Sequence, residues 1–252
     1  MLRNLKLVVA YDGTDFKGWQ VQPGLPTIQG TLSECIKRIT GDDVLPQGSG
    51  RTDAGVHALG QVVTFSTESP IPVAGLVVAL NDHLPAAIRI MSADEVRAEF
   101  HPRKSAHAKT YRYRVFRGGI CSPFMARYVY HHPYALDEGA MTQAAGMAVG
   151  EHDFTSFAAV DPERGREDET PSNVRTIYES RWTRQGEELV YEVRGSGFLQ
   201  HMVRNLVGTF MLVGKGTLKP ADIAQIIEAR ARSANPGATA PAMGLCLVNV
   251  EY

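Results

Sequence analysis

The chain has 252 residues, 44% of them apolar, with a formal net charge of −1. That is enough for one large domain or two small ones with a sizeable core, and no run approaches the 18 consecutive apolar residues of a membrane span. The short apolar run at residues 5–10 lacks the longer apolar region and small-residue cleavage site of a signal peptide, so the cytoplasm is the expected compartment. Three cysteines (Cys35, Cys121, Cys246), far apart and with no Cys-x-x-Cys pair, give neither a disulfide framework nor a cysteine zinc site. Cys35 and Cys246 stand in apolar contexts and read as small core residues.

In chain order, residues 5–10 read as a strand. Residues 27–40 read as a helix, with Ile28, Leu32, Ile36 and Ile39 on one stripe and Gly41 as its stop. A polar, Gly-rich loop follows, then a strand at 61–66, a short helix at 73–83 after Pro72, and a strand at 89–96. The second half opens with a strand at 109–116, with Tyr111, Tyr113 and Val115 on one face and Arg112, Arg114 and Phe116 on the other. A helix at 136–149 ends at Gly150. Strands at 174–182 and 189–194 flank Gln185-Gly186. Helices at 198–213 and 220–231 and a strand at 245–252 complete the series. The order gives an α+β chain with largely antiparallel sheet and helices on one face. The charged, apolar-poor stretch 162–171 reads as a mobile surface loop.

The loop Gly48-Ser49-Gly50-Arg51-Thr52-Asp53-Ala54-Gly55-Val56-His57 carries the chemistry. It sets one carboxylate, Asp53, between the cation of Arg51 and a small-residue turn, just before a β-branched run. Glycines there permit positive φ and close backbone approach, and such a loop can hold a reactive side chain on a rigid edge. The competing reading is an Asx-turn in which Asp53 caps its own backbone. There is no Gly-Lys-Ser/Thr ending and no dinucleotide glycine spacing.

From Phe100 to Leu136 there is no Asp or Glu. That stretch carries Arg103, Lys104, Lys109, Arg112, Arg114, Arg117 and Arg127, interleaved with Tyr111, Tyr113, Phe116, Tyr128 and Tyr130. A basic strip with aromatics suits a polyanion whose bases can stack; a solvated basic strand face is the plainer reading. His152 and Asp153 lack a second histidine at helical spacing and read as a structural turn rather than a metal site.

Gly50 to His57 resembles the signature of the tRNA pseudouridine synthase A family. Three more segments resemble the same family, in order and along nearly the whole chain: Tyr11-Asp-Gly-Thr-Asp-Phe-Lys-Gly-Trp-Gln-Val-Gln22, Lys109-Thr-Tyr-Arg-Tyr113 and His201-Met-Val-Arg-Asn-Leu-Val-Gly208. The resemblance implies two related subdomains, residues 1–105 and 106–252, with a joined sheet and a catalytic cleft between them. It implies isomerisation of uridine to pseudouridine at positions 38, 39 and 40 of the tRNA anticodon stem-loop. Members are homodimers with one tRNA touching both subunits, and the reaction requires no cofactor and no metal. Asp53 is then the catalytic carboxylate, acting on ribose C1′ or on uracil C6, and Tyr111 the ring that stacks on uracil. The matched His201–Asn205 motif favours Arg204 as the cation that keeps Asp53 ionised, leaving Arg51 to RNA contact. Leu245 is expected as an apolar wall of the uracil pocket, and Arg103, Lys104, Lys109 and Arg112 as contacts to the RNA backbone. A non-catalytic RNA-binding protein of similar fold is the alternative; a phosphate-ester enzyme using the Gly-rich loop is a weaker third.

Overall fold

The computed structural model describes residues 2–159 and 172–252, so the expected surface loop at 162–171 lies wholly outside the described residues. The chain divides into two compact units, one made of Met1–His107 with Cys246–Tyr252 and the other of Ala108–Leu245. The architecture is α+β, and its pairings are mostly antiparallel.

In the first unit, β1 (Arg3–Tyr11) alternates, with Leu5, Leu7, Val9 and Tyr11 turned into the core. Helix α1 (Ile28–Thr40) starts where the Thr27 side chain accepts the Gly30 N–H, and stops at Gly41, whose φ of 83° a glycine adopts without strain. After β2 (Gln47–Gly48) comes β3 (His57–Thr67), then α2 (Val73–His83) and β4 (Ile88–Val96). β1 lies between β3 and β4, antiparallel to both, and its register shifts near Val9 to Tyr11, where the chain leaves the sheet for the loop region. β3 starts four residues before the expected 61, because His57 and Ala58 already have strand partners.

The second unit runs β5 (Ala108–Phe116), α3 (Pro123–Ala126), β6 (Tyr130–His131), α4 (Glu138–Gly146), β7 (Gly150–Asp153), β8 (Val174–Gln185), β9 (Glu188–Gly195), α5 (Met202–Gly214) and α6 (Asp222–Glu228). Its sheet order is β5-β9-β8-β7, all antiparallel, with β6 parallel to the end of β5. β8 and β9 form the hairpin expected around Gly186, which sits at φ 59°. The core is aromatic: Tyr191 packs against Trp182 and Phe210, with ring centroids 5.0 and 5.4 Å apart.

Three helices are shorter than their sequence patterns. α4 begins after Asp137, whose carboxylate accepts the Ala140 N–H at 2.8 Å, and closes in a tight turn at 147–149, so that Gly150 opens a strand rather than ending a helix. α5 begins at Met202, not at 198, because His201 takes a left-handed conformation (φ 59°). α6 ends at Glu228, with Arg230 left-handed beyond it.

The chain then re-enters the first unit as β10 (Leu245–Glu251), which pairs parallel with β3 at Cys246–His57 and Leu247–Ala58. Gly60 makes room for this strand, since a Cβ there would come 2.6 Å from the Val248 carbonyl oxygen.

Candidate active site

Asp53 sits half-buried in the loop between β2 and β3, and Arg51 is exposed in the same loop. The loop is gripped along its length by the segment that follows β1. The Trp19 N–H donates to the Thr52 carbonyl at 3.0 Å and the Gly55 N–H to the Phe16 carbonyl at 3.4 Å. The Val56 N–H closes a turn onto the Asp53 carbonyl at 3.1 Å. The Tyr11 hydroxyl is 2.8 Å from Thr52 Oγ1, and burial raises the pKa of this phenol, so it stays protonated. The Gly13 N–H donates to His57 Nδ1 at 3.1 Å, and Asp12 Oδ1 lies 3.2 Å from the same nitrogen.

Two glycines of the gripping segment are sites of contact with no spare volume. A Cβ on Gly18, which also has φ 92°, would lie 2.7 Å from the Thr52 carbonyl oxygen. A Cβ on Gly13 would overlap the Val56 carbonyl oxygen. On the other side of the loop's root, Gly48 lies flat against the Trp19 indole. The motif at residues 11–22 is therefore the clamp for the motif at 50–57. The family resemblance covers this segment but assigns no role to Tyr11, Gly13, Gly18 or Trp19. The signal that could have found them was a pair of glycines in a turn-rich run ending in a tryptophan.

In the second unit, Tyr111 is buried on β5 opposite Val193, with its ring edge-on to Phe198 at 5.1 Å. Tyr113 is wholly buried and its hydroxyl donates to the Pro241 carbonyl at 2.8 Å. Burial raises the Tyr113 pKa against the opposing charge of Arg204, which keeps the phenol a donor. Arg204 projects from the first turn of α5. Its Nε donates to the Ala240 carbonyl at 2.8 Å, and the Ala240 N–H returns to the Arg204 carbonyl at 3.2 Å. Residues 237–241 lie directly on α5, because a side chain on Gly208 would strike the Ala238 carbonyl. Leu245, buried, ends the same segment after a 3-10 turn at Ala242–Gly244. Segment 240–245 thus fixes Arg204, Tyr113 and Leu245 together. His201, which falls inside the helix expected at 198–213, instead precedes it.

The basic strip is acid-free only along the chain. Arg114 forms a bidentate pair with Glu188, both bonds 2.6 Å, and Arg112 Nη2 reaches Glu192 Oε1 at 2.9 Å. Arg117 lies 3.7 Å from Glu138. The carboxylates come from β9 and α4, far off in sequence. Burial raises the Glu192 pKa, but hydrogen bonds from Arg112 and Arg181 outweigh it and hold the carboxyl below its ordinary value. Arg103 and Lys104 lie exposed in a turn whose N–H groups point at His101 Nδ1, at 3.1 and 3.2 Å. Lys109 is half-buried on β5.

His152 and Asp153, expected as a structural turn, instead end β7, paired with Arg175 and Val174 of β8. His152 Nε2 is 3.0 Å from the Val149 carbonyl oxygen, and Asp153 Oδ1 accepts from the Thr155 N–H at 2.9 Å. No group of three or more His, Cys, Asp or Glu among the described residues could hold a metal ion, and no helix there is long and apolar enough to cross a membrane.

The family model described as tRNA pseudouridine synthase matches residues 7–103 and 144–252. The chain is 56% identical over 251 residues to tRNA pseudouridine synthase A of Solibacter usitatus, with 100% of each chain covered. It is 43% identical to the protein of that name from Caldicellulosiruptor saccharolyticus and 44% identical to that from Brevibacillus brevis, again with 100% of each chain covered. The chain belongs to the tRNA pseudouridine synthase family, isomerases that act on uridine in tRNA.

Proposed function

We propose that this protein isomerises uridine to pseudouridine at positions 38, 39 and 40 of the tRNA anticodon stem-loop, with Asp53 as the nucleophile. The reading is carried by the clamped loop: the segment 11–19 and the tight contacts at Gly13 and Gly18 hold one half-buried carboxylate in a fixed place. Fixed placement is what an attacking group needs.

The reaction breaks the N1–C1′ glycosidic bond, turns the uracil, and joins C5 to C1′. The proton on C5 is lost and N1 gains one, so nothing is oxidised or reduced. The ionised Asp53 carboxylate begins either route, at C1′ or at C6. Arg204, anchored through Nε on Ala240, is proposed as the cation that keeps Asp53 ionised. Tyr111 offers its ring face to the uracil and a phenol to carry the C5 proton. Leu245 supplies apolar wall, and Arg51 contacts the RNA as the nucleotide leaves its stack, an extraction that costs a few kcal/mol.

Arg103 and Lys104, exposed on their turn, and Lys109 are proposed as phosphate contacts. Arg112 can join them only by exchanging Glu192 for a phosphate. Replacing both Arg103 and Lys104 with alanine is expected to weaken tRNA binding and to lower the slope of log K against log salt by about one unit per lost contact. Filter binding across a salt series checks this, and an unchanged slope places the turn off the RNA path. We further propose a cytoplasmic homodimer in which one tRNA touches both subunits.

The direct test is a map of pseudouridine in tRNA from cells with and without the gene, and in unmodified tRNA treated with pure protein. Pseudouridine is expected to appear at positions 38 to 40 with the protein and to be missing without it. Modification confined to other positions would overturn the site assignment.

A further inference from the structure

Gln61 lies on β3 opposite Val9 and is wholly buried, followed by Val62 and Val63. An amide at such a position loses its water and must recover its hydrogen bonds from the protein. It recovers them from the loop that carries Asp53. Its Nε2 donates to the Gly50 carbonyl at 2.8 Å, and its Oε1 accepts from the Ser49 hydroxyl at 2.7 Å. Gln61 also hydrogen-bonds the Tyr11 hydroxyl, which in turn meets Thr52 Oγ1 at 2.8 Å. One side chain therefore reaches Ser49 and Gly50 directly and Thr52 through a single phenol. These are the residues that lead into Asp53, and none of the contacts uses Asp53 itself.

Further out, Tyr252 donates to the Pro102 carbonyl at 2.8 Å, next to the exposed Arg103 and Lys104. Its ring packs on Phe100 at 4.8 Å.

We propose that Gln61 is a positioning residue for the reaction: its buried amide, with Tyr11, sets the backbone of residues 49–52 so that the Asp53 carboxylate stands in attacking position. An apolar residue would fill the same strand site, as Val62 and Val63 do beside it, but would leave the loop's entry unpinned. The inference rests on the proposed role of Asp53.

The test replaces Gln61 with methionine, which keeps length and loses both hydrogen-bonding ends. The kcat for uridine conversion in tRNA is expected to fall roughly 10- to 100-fold, the scale set by displacements of about 1 Å. KM and the tRNA dissociation constant stay within about threefold, since the amide touches no RNA-facing group. Tyr11→Phe, which removes a single hydroxyl, is expected to lower kcat by a smaller factor. The double variant falls less than the product of the two, because both act through one network. A folded Gln61→Met enzyme with wild-type kcat overturns the proposal, and so does an equal loss in kcat and tRNA affinity. Should Gln61→Met fail to fold, Tyr11→Phe decides: lower kcat at unchanged KM supports the proposal, and unchanged kcat overturns it. Asp53→Ala separates the two readings. Activity in that variant removes the nucleophile assignment, whereas an inactive Asp53→Ala beside a fully active Gln61→Met removes only the role of Gln61.

Discussion

Asp53→Ala is expected to yield no pseudouridine above background in a single-turnover assay, while its tRNA dissociation constant stays within a few-fold of wild type. The separation of effects follows from how the loop is held. Trp19 N–H to Thr52, Gly55 N–H to Phe16 and Val56 N–H to Asp53 are main-chain bonds that survive the substitution. The Tyr11–Thr52 contact also stays. The loop keeps its course and loses a reacting group. Removing the nucleophile removes the covalent step itself, whereas loss of one supporting contact would leave a slowed but measurable rate. Product formed by Asp53→Ala would remove the nucleophile assignment and leave Asp53 a turn residue.

Gly13→Ala is expected to be nearly as damaging, although it adds one methyl group at a residue with no chemistry. The new Cβ would overlap the Val56 carbonyl oxygen, three residues past Asp53. Neither backbone can yield freely: Gly13 N–H is bonded to His57, and Val56 N–H closes the Asp53 turn. Overpacking of this sort costs about 1–3 kcal/mol, which for a chain of this size lowers Tm by roughly 2–4 °C per kcal/mol. The loop must shift, and about 1 Å at the carboxylate corresponds to ~10²-fold in kcat. Thermal melting and steady-state kinetics measure both effects together. Gly119→Ala, where nothing lies within 4 Å of the added carbon, serves as the neutral comparison. Wild-type turnover in Gly13→Ala would mean that the tight approach of the two segments does not place Asp53.

Elements with their own start and stop signals were legible in the sequence. Thr27 and Gly41 bracket α1, Pro72 precedes α2, and the alternation of Tyr111, Tyr113 and Val115 marks the buried face of β5. Elements that exist only through a partner were not. β6 and β7, two and four residues long, have no periodicity and are defined by pairing with β5 and β8. The start of α5 depends on one left-handed residue, His201, inside a run whose apolar pattern continues smoothly through Phe198 and Leu199.

The candidate site shows the same limit. Asp53 stood out because a carboxylate among glycines and a cation is conspicuous. Gln61 did not, since a glutamine before Val62 and Val63 reads as the edge of a strand, and only its buried hydrogen bonds reveal what it holds. Charge was misleading in the opposite sense. The window from Phe100 to Leu136 looks uniformly basic, yet Glu188, Glu192 and Glu138 arrive from later elements to neutralise Arg114, Arg112 and Arg117. Linear charge density records neighbours along the chain, and ion pairs form between neighbours in space.

The parallel pairing of β10 with β3 at His57 and Ala58 sets a timetable for biosynthesis. When residues 1–107 have left the ribosome, every reacting group of the first unit has been translated, yet the strand that flanks the exit of its loop has not. It arrives only after residues 108–245, on the order of ten seconds later at ordinary elongation rates. During that interval the start of β3, at His57 and Ala58, lacks its β10 partner and is open to wrong partners and to chaperones. A message cut short before codon 245 would therefore encode Asp53 in full and deliver it on an unfinished sheet.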